Sequence, residues 1–167
     1  KLKYSWELAE INSYGKTVLV GINTAHPNRL ALEAIEQEVV SELTGYVDHK
    51  REIKYGENSR IDILLTGNDG QLCYVEVKNV HLLRRDGRAE FPDSVTKRGA
   101  KHLEELSNMV AIGHRAVMLY IIQRDDATRF SIAKDKDPFY GESYERARDN
   151  GVEMIAYACE MSTRAIQ

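Results

Sequence analysis

The chain lacks most of what marks a secreted, membrane-spanning or zinc-organised protein. Its 167 residues hold two cysteines, Cys73 and Cys159. With no Cys-x-x-Cys pair and no ligand spacing around them, a disulfide scaffold and a zinc module are both excluded. Such sparse thiols suit a reducing cytoplasm. The longest apolar run, Ala116 to Ile122, is far too short to cross a bilayer. The N-terminus is charged and mixed, without the pattern of a signal peptide. It opens on Lys1 rather than Met, so further residues are expected upstream. No internal repeat, low-complexity tract or clear linker interrupts the sequence. The formal net charge of −3 excludes a uniformly basic coat for nucleic acid.

What is present suits a globular domain. Hydrophobic residues make up 43% and charged residues 29%, which excludes wholesale disorder. A chain of this length buries roughly two thirds of its unfolded surface, enough for a core without staples.

Local pattern gives an α/β order. Residues 4–11 and 17–23 read as short strands divided by turn residues Asn12 to Gly15. Pro27 falls in a turn, and Asn28 caps a helix reaching Leu43, with Leu32, Ile35, Val39 and Leu43 as its apolar stripe and Gly45 at its stop. Residues 46–55 form a weak strand. Residues 59–66 and 72–80 form stronger ones, joined through Gly67-Asn68-Asp69-Gly70 as a hairpin. A charged loop follows over 82–90. A second helix starts near Pro92, Asp93 and Ser94, carries Val95, Leu103, Leu106, Met109 and Val110, and ends at Gly113. Residues 116–122 are apolar on both faces, as in a covered central strand. A helix over 138–150 and a strand over 152–158 complete the order, which predicts a mixed sheet flanked by helices.

Period-two alternation places Cys73, Val75 and Val77 on one face of the 72–80 strand and Tyr74, Glu76 and Lys78 on the other. Glu76 and Lys78 then project side by side, about 7 Å apart. If the hairpin pairs as its turn suggests, Asp62 lies near Glu76 on the same face. Two carboxylates buried together require a proton or a cation. Hard oxygen donors of this kind suit Mg²⁺ or Mn²⁺, with Lys78 orienting water or balancing developing charge on a phosphate.

Asp62, thirteen intervening residues and then Glu76-Val77-Lys78 resemble the signature of the PD-(D/E)xK nuclease superfamily, with Ile61 in place of the proline. Longer segments go further. Ser59-Arg60-Ile61-Asp62, Cys73 to Lys78, Phe91 to Gly99, Gly113 to Val117, Pro27 to Leu30 with Glu33-Ala34-Ile35, and Gly151-Val152-Glu153 closely resemble the sugar fermentation stimulation protein family. That resemblance implies a restriction-endonuclease-like core over 26–167, preceded by residues 1–25 as the end of an OB-like barrel. It implies DNA as partner and a possible regulatory role in sugar (maltose) metabolism.

Several further residues are candidates. A first-helix carboxylate for the metal is Glu33 by family motif, or Glu36 by helical geometry. The stretch from Lys78 to His102 carries a local charge of +4 within a remainder of −7. Its Arg84, Arg85, Arg88, Lys97, Arg98 and Lys101 are candidate phosphate contacts. Arg60, Thr96, His102 and Gln123 are secondary candidates near the site. Tyr140 and Tyr144 read as core, and Cys73 as buried and inert. Three functions stay open: a Mg²⁺-dependent nuclease-type DNA-binding protein, a non-catalytic DNA-binding regulator, and a structural interaction domain without nucleic acid.

Overall fold

A computed structural model describes residues 3–167. Its centre is a five-stranded mixed sheet. Strands β3 (Tyr46–Tyr55), β4 (Ser59–Gly67) and β5 (Leu72–Val80) run as an antiparallel meander, and β8 (Arg115–Ile122) and β10 (Glu153–Ala158) extend it in parallel. The spatial order is β10-β8-β5-β4-β3. Parallel pairing needs crossovers, and α2 (Lys97–Ala111) and α3 (Pro138–Asp149) supply them between β5 and β8 and between β8 and β10. Both pack on one face, with Leu103, Leu106, Met118, Tyr120 and Tyr140 in the core between. The other face is closed by α1 (His26–Glu36) over Val75, Val77, Leu119 and Ile121. With helices on both faces, Ala116 to Ile122 is buried throughout, as its unbroken apolar run requires.

The boundaries differ from expectation in places that have physical causes. Pro27 lies inside the first turn of α1, where its missing N–H costs nothing. That helix stops at Glu36 because Glu38 takes a positive φ of 58°, and the chain resumes as one 3₁₀ turn at Ser41–Leu43. Val39 is consequently exposed, and Val40 fills the core in its place. The second helix begins five residues later than Pro92. Thr96 caps it by accepting the Gly99 N–H at 3.0 Å. Val95 lies outside that helix and is exposed. The buried Asp137 carboxylate accepts the Thr96 N–H at 2.7 Å and the Tyr140 N–H at 3.0 Å, tying the starts of α2 and α3 together.

The expected loop over 82–90 is instead two short strands, β6 (Leu82–Arg85) and β7 (Arg88–Phe91), and β7 pairs in parallel with β9 (Arg129–Ile132). The N-terminal hairpin of β1 (Leu8–Ser13) and β2 (Lys16–Gly21) starts later than the pattern suggests and leaves Trp6 exposed. It joins the body through a bridge from Val20 to Arg124 and a Gly21 N–H donated to the Gln123 carbonyl at 3.0 Å.

Candidate functional site

The site arises where two strands part. The β4–β5 ladder runs only from Ile63 paired with Val75 to Thr66 paired with Leu72. Two residues past its end on β5, the Val77 N–H would otherwise have no partner on β4. The Asp62 carboxylate fills that gap: its Oδ2 accepts the Val77 N–H at 2.8 Å, and its Oδ1 accepts Asn28 Nδ2 from α1 at 2.7 Å. Asp62 is therefore fixed at the mouth of the split, facing Glu76.

Glu76 is 2% exposed on the α2 face of β5. Its Oε1 accepts Lys78 Nζ at 2.7 Å and contacts His102 Nδ1 on α2. Its Oε2 is buried without a partner. On the far side of the ring, Arg98 Nε donates to His102 Nε2 at 3.3 Å, so Nε2 is bare and the ring proton sits on Nδ1, toward Glu76. Lys78 Nζ also lies 3.2 Å from that nitrogen. Two carboxylates, one ammonium and one imidazole are thus gathered between β4, β5 and α2.

The surroundings push the two acids in opposite directions. Burial, and then the Glu76 charge, push the Asp62 carboxyl up, against the Val77 and Asn28 hydrogen bonds and the Lys78 charge. Glu76 feels still stronger burial, but the His102 hydrogen bond and the Lys78 charge together outweigh it and hold its carboxyl below the usual range. One carboxylate is internally satisfied at Oε1. The other is left wanting positive charge.

Other predicted residues fall elsewhere. Glu33 points outward from α1 and accepts Gln37 Nε2 at 3.4 Å; Glu36 sits 3.6 Å from His49. Neither joins Asp62, because the helix turns Asn28, Ala31 and Ile35 inward, and the first-helix residue at the site is Asn28. Gln123 is fully buried, donates to Asn79 Oδ1 at 2.8 Å and is overlain by Gly21, so it seals the hairpin joint rather than facing a phosphate. Thr96 is spent as a helix cap. Arg84 is clamped by Glu90 at 2.8 Å and 2.9 Å and by Asp135 at 2.5 Å and 2.8 Å, which removes it from the free cations. Arg85 and Lys97 are exposed, Arg88 is half-buried, and Lys97 and Lys101 line a cleft between α2 and α3 with Arg146. Arg60 is exposed beside Lys54 at the β3–β4 tip, next to the site. Sequence reasoning missed Asn28 as a partner of Asp62, and it missed Tyr55 and Glu105, which are buried beside this cluster. A signal for Glu105 existed: on α2 it follows His102 by three residues, and so shares its inward face.

A mixed sheet that splits over an aspartate, with Glu-x-Lys on the next strand, defines a PD-(D/E)xK-type, nuclease-like domain. The comparisons narrow the class. Residues 25–165 match the family described as "Sugar fermentation stimulation protein RE domain". The chain belongs to this family. It is 58% identical over 148 residues to the sugar fermentation stimulation protein homolog of Brucella anthropi, covering 89% of this chain and 64% of that protein. It is 52% identical over all 167 residues to the homolog of Azorhizobium caulinodans, covering 70% of that protein. The Pyrococcus furiosus SfsA structure, solved in complex with Ca²⁺, superposes with a TM-score of 0.80 at 30% identity, covering 94% of this chain and 66% of that one. The chain thus spans about two thirds of the length of the relatives it matches.

Proposed function

We propose that this domain binds DNA and hydrolyses phosphodiester bonds with a divalent cation held by Asp62 and Glu76. The observation that carries the reading is the pairing, at the strand split, of the half-buried Asp62 with the buried Glu76, with Lys78 Nζ 2.7 Å from Glu76. The donor set fits such an ion. Asp62 is short of positive charge, and Glu76 Oε2 is a buried oxygen with no partner. The Ca²⁺ bound by the Pyrococcus relative supports a cation of this hard, oxygen-seeking kind, and Mg²⁺ or Mn²⁺ is the proposed physiological ion. When bound, it supplies charge stabilisation at the phosphate and a more acidic water.

The chain's own residues do the rest. Asn28 and the Val77 N–H hold Asp62 in one rotamer, so the carboxylate need not reorganise. His102 and Lys78 hold Glu76 in the same way. Lys78 has three N–H donors and gives one to Glu76 Oε1, which leaves donors for a water or a non-bridging phosphate oxygen. Arg60, Arg85, Arg88, Lys97, Arg98 and Lys101 are the proposed contacts to flanking phosphates, through charge rather than base readout.

A second reading, a DNA-binding regulator of sugar metabolism that does not cleave, is favoured by one feature: Glu76 Oε1 is already occupied by His102 and Lys78. Residues 1–25 are proposed to finish an OB-like unit, and the setting is proposed to be cytoplasmic. Among the described residues, no helix is long and apolar enough to span a membrane.

Plasmid and single-stranded DNA incubated with the protein in Mg²⁺, Mn²⁺ or EDTA separate the readings. Metal-dependent nicking that Asp62→Ala abolishes upholds the nuclease. Salt-sensitive binding without nicking, unchanged in Asp62→Ala, overturns it and leaves the regulator. Neither binding nor nicking overturns both and leaves an interaction domain.

A further inference from the structure

The small sheet of β6, β7 and β9 sets three arginines in one row. Arg85 pairs with Arg88 across the Asp86-Gly87 turn, and Arg88 pairs in turn with Arg129 on β9. Residues directly opposite one another in a sheet share a face. That face is the outer one, because the alternate residues Ala89, Phe91, Phe130 and Ile132 pack into the core. Arg85 and Arg129 are exposed, and Arg88 is half-buried. The frame beneath them is fixed. The Gly87 carbonyl accepts both the Thr128 and the Arg129 N–H at 2.9 Å, and the turn closes so tightly on β9 that a Cβ at Gly87 would stand 3.0 Å from Thr128 Oγ1.

Like charges set directly opposite across strands oppose folding. On the same sheet Arg84 escapes that cost, because Glu90 and Asp135 clamp it. The row has no such relief. Among the described residues, no carboxylate forms an ion pair with Arg85, Arg88 or Arg129; Arg129 donates to the Asp86 backbone carbonyl at 3.4 Å, and the Asp86 carboxylate joins none of the three. Three uncompensated guanidinium groups on a rigid frame suit a partner with a line of negative charge. Neighbouring strands lie about 4.8 Å apart, so the row is about 10 Å wide. B-DNA carries one charge per roughly 1.7 Å of axis, and so presents several phosphates over that width. A lipid surface fits less well: none of the exposed large apolar side chains lies on these three strands.

The row is also joined directly to the site. Only His81 separates β5, which carries Glu76 and Lys78, from β6, and β7 leads into α2, which carries His102. Arg85 follows Lys78 by seven residues. Chain of that length reaches at most about 25 Å, less than the roughly 34 Å of one duplex turn. We infer that Arg85, Arg88 and Arg129 form a backbone-gripping row for DNA, holding phosphates within one helical turn of the bond presented to Glu76 and Lys78. Arg129 enters this surface through the pairing of β7 with β9, from a part of the chain remote from the basic stretch of 78–102. The row deepens the proposed function and rests on its DNA reading, though not on cleavage.

Fluorescence anisotropy of a labelled duplex of about 20 base pairs, titrated with the full chain in EDTA over a range of salt, tests the row apart from cleavage. Arg129→Gln should weaken binding roughly five- to tenfold at about 0.1 M salt and lower the salt slope by about one. Arg129→Lys keeps the charge and should restore most of the affinity. Arg85→Gln and Arg88→Gln should act alike, and the triple variant should lose about three from the slope. Thermal melting excludes a structural role: removing one of three facing like charges should leave the melting temperature unchanged or slightly raised at low salt. A lowered melting temperature with unaltered DNA affinity makes these arginines structural and overturns the row. An unaltered salt slope in the triple variant overturns it too, and a wild type that binds the duplex then leaves the DNA reading standing. Row-dependent binding by a protein that never nicks upholds the row and overturns cleavage. A wild type that binds no duplex at any salt overturns the row and the DNA reading together.

Discussion

The two faces of β5 come from the same nine residues and do opposite work. Cys73, Val75 and Val77 meet α1 in a closed aliphatic layer. Tyr74, Glu76 and Lys78 meet α2, where a buried carboxylate, an ammonium and an imidazole share one small space. On the α1 side, stability comes from area removed from water and from close packing. On the α2 side, desolvation is charged against every polar group, and the network roughly offsets that cost without exceeding it. The comparison teaches that burial on the first face stabilises the fold, whereas on the second it prepares charge. Substitutions on the two faces should therefore separate stability from ion binding.

The largest effect on stability belongs to the α1 face. Leu119 is fully buried among Val77, Ile121 and the α1 residues. Leu119→Ala should cost about 3 kcal/mol, through lost transfer energy and the cavity left behind. Urea unfolding measures this, and Mn²⁺ affinity in the folded state should be unchanged. A parallel fall in Mn²⁺ affinity would break the separation of the faces.

The next effect inverts the pattern. Glu76→Gln keeps the shape and one acceptor for His102 and Lys78 but removes the charge that makes both contacts strong. Stability should fall by about 1–2 kcal/mol, less than for Leu119→Ala. Mn²⁺ binding and any nicking should disappear, because the proposed ion draws on this carboxylate. Unaltered Mn²⁺ binding would show that the α2 face does not prepare charge at Glu76.

How much of this could be read from the sequence follows the same division. The aliphatic face, the central strand Ala116 to Ile122 and the pairing of Asp62 with Glu76-Val77-Lys78 are written in local periodicity, and period two carries them faithfully. What was missed depends on residues far apart. Strands β6 and β7 pair with each other, and β9, some forty residues on, completes their sheet by pairing with β7; no local pattern of alternating charges announces that. The first-helix partner of Asp62 is Asn28, because helix α1 starts at His26 and ends at Glu36, two boundaries set by a proline and by a positive-φ turn. Glu33 has the right chemistry on the wrong side of that helix. Arg84 illustrates the converse: a free cation by composition, it is consumed by Glu90 and Asp135, the latter fifty-one residues away.

The Arg84–Asp135 pair of that cluster sharpens the comparison, because it holds opposite charges without enclosing them. The hydrogen bond from Arg84, and then its charge, hold the exposed Asp135 carboxyl at about 2, below its ordinary 3.8. A carboxyl lowered on folding binds its proton more weakly in the folded state than in the unfolded one. Its contribution to stability is therefore complete above the unfolded value and disappears as the pH falls from about 4 toward about 2. Asp135→Asn should melt slightly below the wild type at pH 7, by less than either variant above, since exposed pairs contribute little. The gap should close across that acid window, and added salt should narrow it at neutral pH. Thermal melts of the two proteins against pH and ionic strength make the measurement. A gap as large as that of Glu76→Gln, or one indifferent to salt, would mean that charge alone, rather than charge under burial, distinguishes the α2 face.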